Sequence, residues 1–178
     1  MNQLKFFAFS LLIVGSFTNQ LLAADAPKSF AVGGVNFASP TGWTWVETAS
    51  PMRKAQFSVD GADGAAEVVF FHFGKGQGGS VQANVDRWFG QFAEPKDQLN
   101  TKTEKKTVDG REITYVFAEG TYMSGPPFGQ KTPLKNQALV GAIIDNADGD
   151  VFVKMTGPKT TTDKAEAAFK KLVESAKR

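Results

Sequence analysis

Residues 67–92 limit this chain more than any other stretch, because a strand that is apolar on both faces runs through four glycines straight into an amphipathic helix. In Glu67 to Phe73, Val69, Phe71 and Phe73 alternate with Val68, Phe70 and His72. Side chains of a strand point alternately to its two faces, so this segment reads as a central strand covered on both sides. After the glycines, Ser80 is placed to cap a helix, its hydroxyl accepting from the free N–H groups of the first turn. At 3.6 residues per turn Val81, Val85, Trp88, Phe89 and Phe92 share one face, the stripe that packs a helix on a sheet. Asn84, Arg87 and Gln91 run along one border of that stripe. This polar row reads either as a solvated flank, the arginine stem covering the edge of the Trp88 ring, or as the lining of a groove that recognises a partner or an anion.

The chain begins with Lys5, an apolar run from Phe6 to Phe17, and the small-residue region Leu21-Leu22-Ala23-Ala24. This is the pattern of a secretory signal peptide over 1–24, with an apolar run too short for a stable membrane anchor. The sequence contains no cysteine, which excludes disulfides and a lipid-modified cysteine. An exported protein, periplasmic or secreted, is expected. Removing 24 of 178 residues leaves 25–178, enough for a single domain with its own core. Lys5 is the only charged residue removed, so 19 basic residues face 18 acidic ones. That balance gives no electrostatic reason to expect nucleic acid or an anionic membrane as partner.

Short β-type segments with turn signals fill most of the rest. Strands are predicted at Val32 to Phe37, Trp43 to Glu47 and Lys54 to Val59, before the strand at Glu67 to Phe73. Pro95 to Asn100 is a polar linker after the helix. Asp109-Gly110 joins Thr103 to Val108 and Glu112 to Tyr122 as a hairpin, since both turn residues tolerate positive φ. Met123 to Asn136 reads as a long loop. Gln137 to Ile144 and Val151 to Thr156 form a further hairpin, and Gly157-Pro158 stops the last strand. A final helix opens on Asp163 and Glu166 as a capping pair and buries Ala165, Ala168, Phe169, Leu172, Val173 and Ala176. The expected fold class is α+β, a mostly antiparallel sheet with two packed helices.

In this order of elements the chain resembles the PsbP/Mog1/DcrB-like family of small α+β domains. The resemblance rests on Phe37-x-x-Pro40-x-Gly42-Trp43, on strands that lead through a loop into a middle helix, and on the closing Phe169-x-x-Leu172-Val173-x-Ser175. It covers the whole chain after residue 24. It implies an accessory or binding role, as for extrinsic photosystem proteins, a Ran-binding factor and bacterial envelope proteins, and it brings no shared catalytic residues.

Residue patterns that could carry chemistry are few. Gly74-x-Gly76-x-x-Gly79 satisfies a dinucleotide fingerprint in letters, and Glu94 lies twenty residues on, but Glu94 follows the helix directly instead of ending a second parallel strand. A weaker anion site at Gly76, Gly78, Gly79 and Ser80 stays open. Asp145-Asn146-x-Asp148-Gly149-Asp150 offers oxygen ligands but reads as a hairpin turn. His72 is the single histidine, and without cysteine it makes no transition-metal site. Tyr122 to Gly129 can present Tyr122 and Phe128 to a partner, or Phe128 can tuck back onto the core.

The expectation is therefore an exported non-enzymatic binding or accessory protein, with no cofactor and no metal, whose protein or small-molecule partner meets Gly76, Gly78, Gly79, Ser80, Asn84, Arg87, Trp88, Gln91, Tyr122 and Phe128. The alternative is a periplasmic carrier of a small apolar or anionic ligand held between helix and sheet. An enzyme of unfamiliar type would need polar groups converging around His72 or Ser80.

Overall fold

The computed structural model describes residues 26–48, 50–126 and 129–177; the signal peptide expected over 1–24 lies outside them. The elements are β1 (Ser29–Val32), β2 (Val35–Ala38), β3 (Thr44–Trp45), β4 (Arg53–Val59), β5 (Ala66–His72), α1 (Val81–Phe89), β6 (Asn100–Val108), β7 (Arg111–Ser124), β8 (Thr132–Ile144), β9 (Val151–Pro158) and α2 (Lys159–Glu174). Seven strands form one sheet in the order β3-β4-β5-β9-β8-β7-β6, with every neighbour antiparallel. The protein is α+β, and β5 is an interior strand, as its two apolar faces require.

Three segments depart from the sequence expectation. Val32 to Phe37 is two strands, because Gly33 and Gly34 both take positive φ and fold the segment into the β1–β2 hairpin. Met123 to Asn136 is strand at both ends, over Met123–Ser124 in β7 and 132–136 in β8. Cross-strand pairing of β7 with β8 runs on from Tyr122↔Leu134 to Ser124↔Thr132, and this tertiary pairing overrides the local Gly and Pro content. The last helix starts at Lys159, so Asp163 lies inside it and caps nothing, while Gly157 and Pro158 remain in β9. No side chain caps this helix start; Pro158 fixes the turn, and Thr161 donates back to the Gly64 carbonyl at 2.8 Å.

The two faces of the sheet are covered unequally. On one face the β1–β2 hairpin and α2 bury a core in which Phe30 and Phe37 both meet Phe70, at ring-centroid distances of 5.0 and 5.1 Å, and Phe169 and Val173 are fully enclosed. On the other face Val85, Trp88, Phe89 and Phe92 pack against Val116, Leu139, Ile143 and Phe152. Gly141 of β8 is what lets α1 sit so close: a Cβ there would fall 2.2 Å from Trp88 Cζ3. With nine residues, α1 is only about 13 Å long at 1.5 Å per residue. It covers β7 to β9 and leaves the β4–β5 half of this face open beside it.

Candidate functional site

The uncovered half forms a groove of about 840 Å³ between α1, the outer strands and an arm made by the ends of β7 and β8. The arm exists because β7–β8 pairing continues to Ser124↔Thr132, past the last β8–β9 pair at Gln137↔Pro158. A register shift between Gly120 and Tyr122 bends the arm, as an extra unpaired residue does. The chain leaving α1 holds it in place: Ala93 N–H donates to the Thr121 carbonyl at 2.8 Å, and Met123 N–H to that of Gln91 at 2.8 Å. Glu94 accepts the Thr121 N–H on both carboxylate oxygens at 2.9 Å, and these bonds hold its pKa below the usual carboxylate value. Tyr122 is thereby fixed edge-on to Phe92, with ring centroids 5.5 Å apart.

Apolar side chains make much of the wall. Phe71 and Phe73 lie nearly parallel, and Phe73 meets Phe152 at 5.7 Å. The large hydrophobic residues exposed among the described residues are Met52 at 59%, Leu134 at 40% and Phe73 at 36%, and all three line this groove. Single exposed hydrophobics are ordinary on a protein surface, whereas here three are gathered on one concavity.

Lys154 supplies the charge at the floor. It stands with the buried Phe152 on the α1 face of β9, while its neighbours Val151, Val153 and Met155 are buried on the opposite face. Its ammonium donates to Gln91 Oε1 at 3.0 Å and to the Tyr122 hydroxyl at 3.3 Å, and it lies 5.8 Å from the centre of the Tyr122 ring. It has no carboxylate partner among the described residues. Burial lowers its pKa to about 8, with nearby Glu67 opposing the shift and Arg53, Arg87 and Lys131 adding to it. The phenol of Tyr122, which donates to Gln91 Oε1 at 3.0 Å, is shifted upward, first by burial and then by the Glu67 charge. Arg53 is paired to Glu67 at 2.5 Å, whereas Arg87 donates to the amide oxygen of Asn84 and Lys131 to the Gly125 carbonyl.

The residues singled out in the sequence separate into two groups. Arg87, Trp88, Gln91 and Tyr122 line the groove. Gly76, Gly78, Gly79, Ser80 and Asn84 build the start of α1 and are not part of the lining. Ser80 Oγ accepts from Ala83 N–H at 3.2 Å, which is the cap the sequence predicts. Asn84 is buried, not on a solvated flank, and its amide donates at 2.8 Å to both the Gly78 and Ser80 carbonyls. Gly78 has φ 91°, and a Cβ there would come within 3.0 Å of Phe152. Phe128 lies outside the described residues. Residue spacing alone missed Met52, Phe73, Leu134 and Lys154. The signal for Lys154 was present, as the single charge inside the buried run Val151 to Met155.

Elsewhere, His72 lies on the opposite face of the sheet, its Nε2 3.1 Å from the Asp148 carbonyl and its ring against Gly33. Asp145 to Asp150 is the β8–β9 turn, in which the Asn146 amide donates to the Gly33 and Gly149 carbonyls. Burial and the neighbouring Asp145 charge raise the Asp150 pKa. Among the described residues no cluster of three or more His, Asp or Glu could hold a metal ion, and no helix is long and apolar enough to cross a membrane.

No protein-family model matches the chain, and no curated protein sequence is similar to it. Similarity appears at the level of structure. The solution structure of cyanobacterial PsbP from Synechocystis sp. PCC 6803 matches with a TM-score of 0.52 and 14% identity, over 92% of this chain and 98% of that one. A protein of unknown function from Pseudomonas aeruginosa, PA94, aligns with a TM-score of 0.46 and 12% identity, over 83% of this chain and 93% of its own. At such identity the likeness to PsbP is one of architecture, and the chain has the PsbP/Mog1-like α+β fold.

Proposed function

We propose that the chain is an exported, non-enzymatic binding protein of the carrier kind, and that its site is the groove between α1 and the β7–β8 arm. One observation carries this reading: among the described residues the exposed large hydrophobics, Met52, Phe73 and Leu134, converge on a single concavity with Lys154 at its floor. The volume of about 840 Å³ is within the range of small-molecule sites, and a wall of apolar groups with a few fixed polar ones is their usual composition. Ser80 is engaged as a helix cap and His72 packs on the far face, so the two side chains an enzyme reading would rely on serve separate structural ends. Secretion rests on the pattern of residues 1–24.

The test is native mass spectrometry of mature protein purified gently from its own host. A reproducible small adduct on the wild type that is lost in the Met52→Ser/Leu134→Ser variant is the expected result. A wild type without an adduct, or an adduct that survives in the variant, refutes the groove as its site.

A further inference from the structure

We propose that the groove, read as the binding site above, takes a carboxylate carried on an apolar body, with the head on Lys154 and Arg87 and the body against Phe71, Trp88 and Phe152. Four cations line the groove, and Glu67, the carboxylate among its lining residues, is committed to Arg53 at 2.5 Å. Among the described residues, Lys154, Arg87 and Lys131 hydrogen-bond to neutral oxygens alone, from Gln91 and Tyr122, Asn84, and Gly125 respectively. Among the described residues the groove thus holds three cations that form no ion pair, an arrangement complementary to a negative ligand.

Donor geometry narrows the class. A lysine ammonium has three N–H groups, and two of these are spent on Gln91 Oε1 and the Tyr122 hydroxyl. One remains for a ligand oxygen. Arg87, on the border of the same groove, offers its remaining guanidinium N–H groups to a second oxygen. Two oxygens meeting two cationic donors is the demand a carboxylate satisfies, and such bonds are shorter and stronger than neutral ones. The remainder of the ligand has to be apolar, because Phe71, Trp88 and Phe152 flank the floor and the rim continues in Phe73 and Leu134. Partial burial of Lys154 matters here as well. An ammonium already stripped of much of its water gives up little further hydration when an anion arrives, and the attraction is less screened than at an open surface.

The experiment uses the mature protein and decanoate, decanol, decylamine and decyl sulfate in separate calorimetric titrations at pH 7 and low salt. Decanoate is expected to bind at least about tenfold more tightly than decanol, with decylamine the weakest, and Lys154→Met is expected to abolish the preference of decanoate over decanol. Equal binding of decanol and decanoate overturns the carboxylate assignment while leaving the groove as an apolar site. Tighter binding of decyl sulfate than of decanoate overturns the assignment in favour of a tetrahedral anion. Binding of none of the four overturns both this assignment and the groove reading.

Discussion

Replacing Lys154 by Met is expected to stabilise the folded protein at neutral pH. In the fold, burial lowers the lysine pKa from 10.5 to about 8. At about 1.4 kcal/mol per tenfold change in proton affinity, this fall corresponds to about 3 kcal/mol against keeping the ammonium charged in the native state. Met has a comparable length and no charge to desolvate. Its introduction forfeits the lysine's bonds to Gln91 and Tyr122, worth about 1 kcal/mol net, but Gln91 Oε1 keeps the Tyr122 hydroxyl as donor at 3.0 Å. A net gain of about 2 kcal/mol at pH 7 follows. Urea unfolding followed by far-UV circular dichroism reads it as a midpoint shift of about 1 M for a slope of about 2 kcal/mol per molar. The pH dependence is the sharper test. Between pH 8 and 10.5 the unfolded chain still holds the Lys154 proton that the native state has released, so wild-type stability gains from this group as pH rises through that window. The variant lacks that gain, and its advantage should shrink steadily from pH 8 to pH 10. A variant less stable than wild type at pH 7, or a difference independent of pH over this range, would refute the reasoning. A lysine kept at such a cost agrees with the binding role proposed above for the groove.

Other outcomes follow from the packing. Gly141→Ala should cost about 1–3 kcal/mol by driving a methyl group into the Trp88 ring, measured by the same unfolding curves and accompanied by a changed Trp fluorescence spectrum. Asn84→Ala removes two bonds to the Gly78 and Ser80 carbonyls and should cost about 1–3 kcal/mol, with faster amide exchange over residues 74–83. Ser80→Ala should cost about 1 kcal/mol as the loss of a helix cap, and Ser80→Asp should restore most of it. Met52→Ser and Leu134→Ser, both at exposed sites, should leave stability within about 0.5 kcal/mol while weakening capture of any apolar ligand in the groove.

What could be read from the residues was whatever short-range pattern decides. Alternation marked β5 as an interior strand, Ser80 followed by the spacing of Val85, Trp88, Phe89 and Phe92 marked α1 and its buried face, and Asp109-Gly110 marked the β6–β7 turn, where both residues take positive φ. Phe37 through Trp43 and the closing helix pattern pointed to the PsbP/Mog1-like architecture that the structure has. The arm was not legible, because Gly125 and Pro126 suggest a loop while the strands on either side are held by each other across the sheet. Nor was the start of α2, where three consecutive threonines disfavour a helix that packing against β8 and β9 nonetheless imposes.

The groove belongs wholly to the tertiary structure. Arg53, Phe71, Arg87, Tyr122, Leu134 and Lys154 come from six different elements, and their meeting depends on strand order and on α1 being too short to cover the sheet. Sequence by itself determined which segments form strands and helices and which faces seek burial, since those follow from 2.0- and 3.6-residue periods within a few residues. Only the assembled fold decided where burial stops, because an uncovered surface is set by the relative lengths and positions of elements distant in the chain.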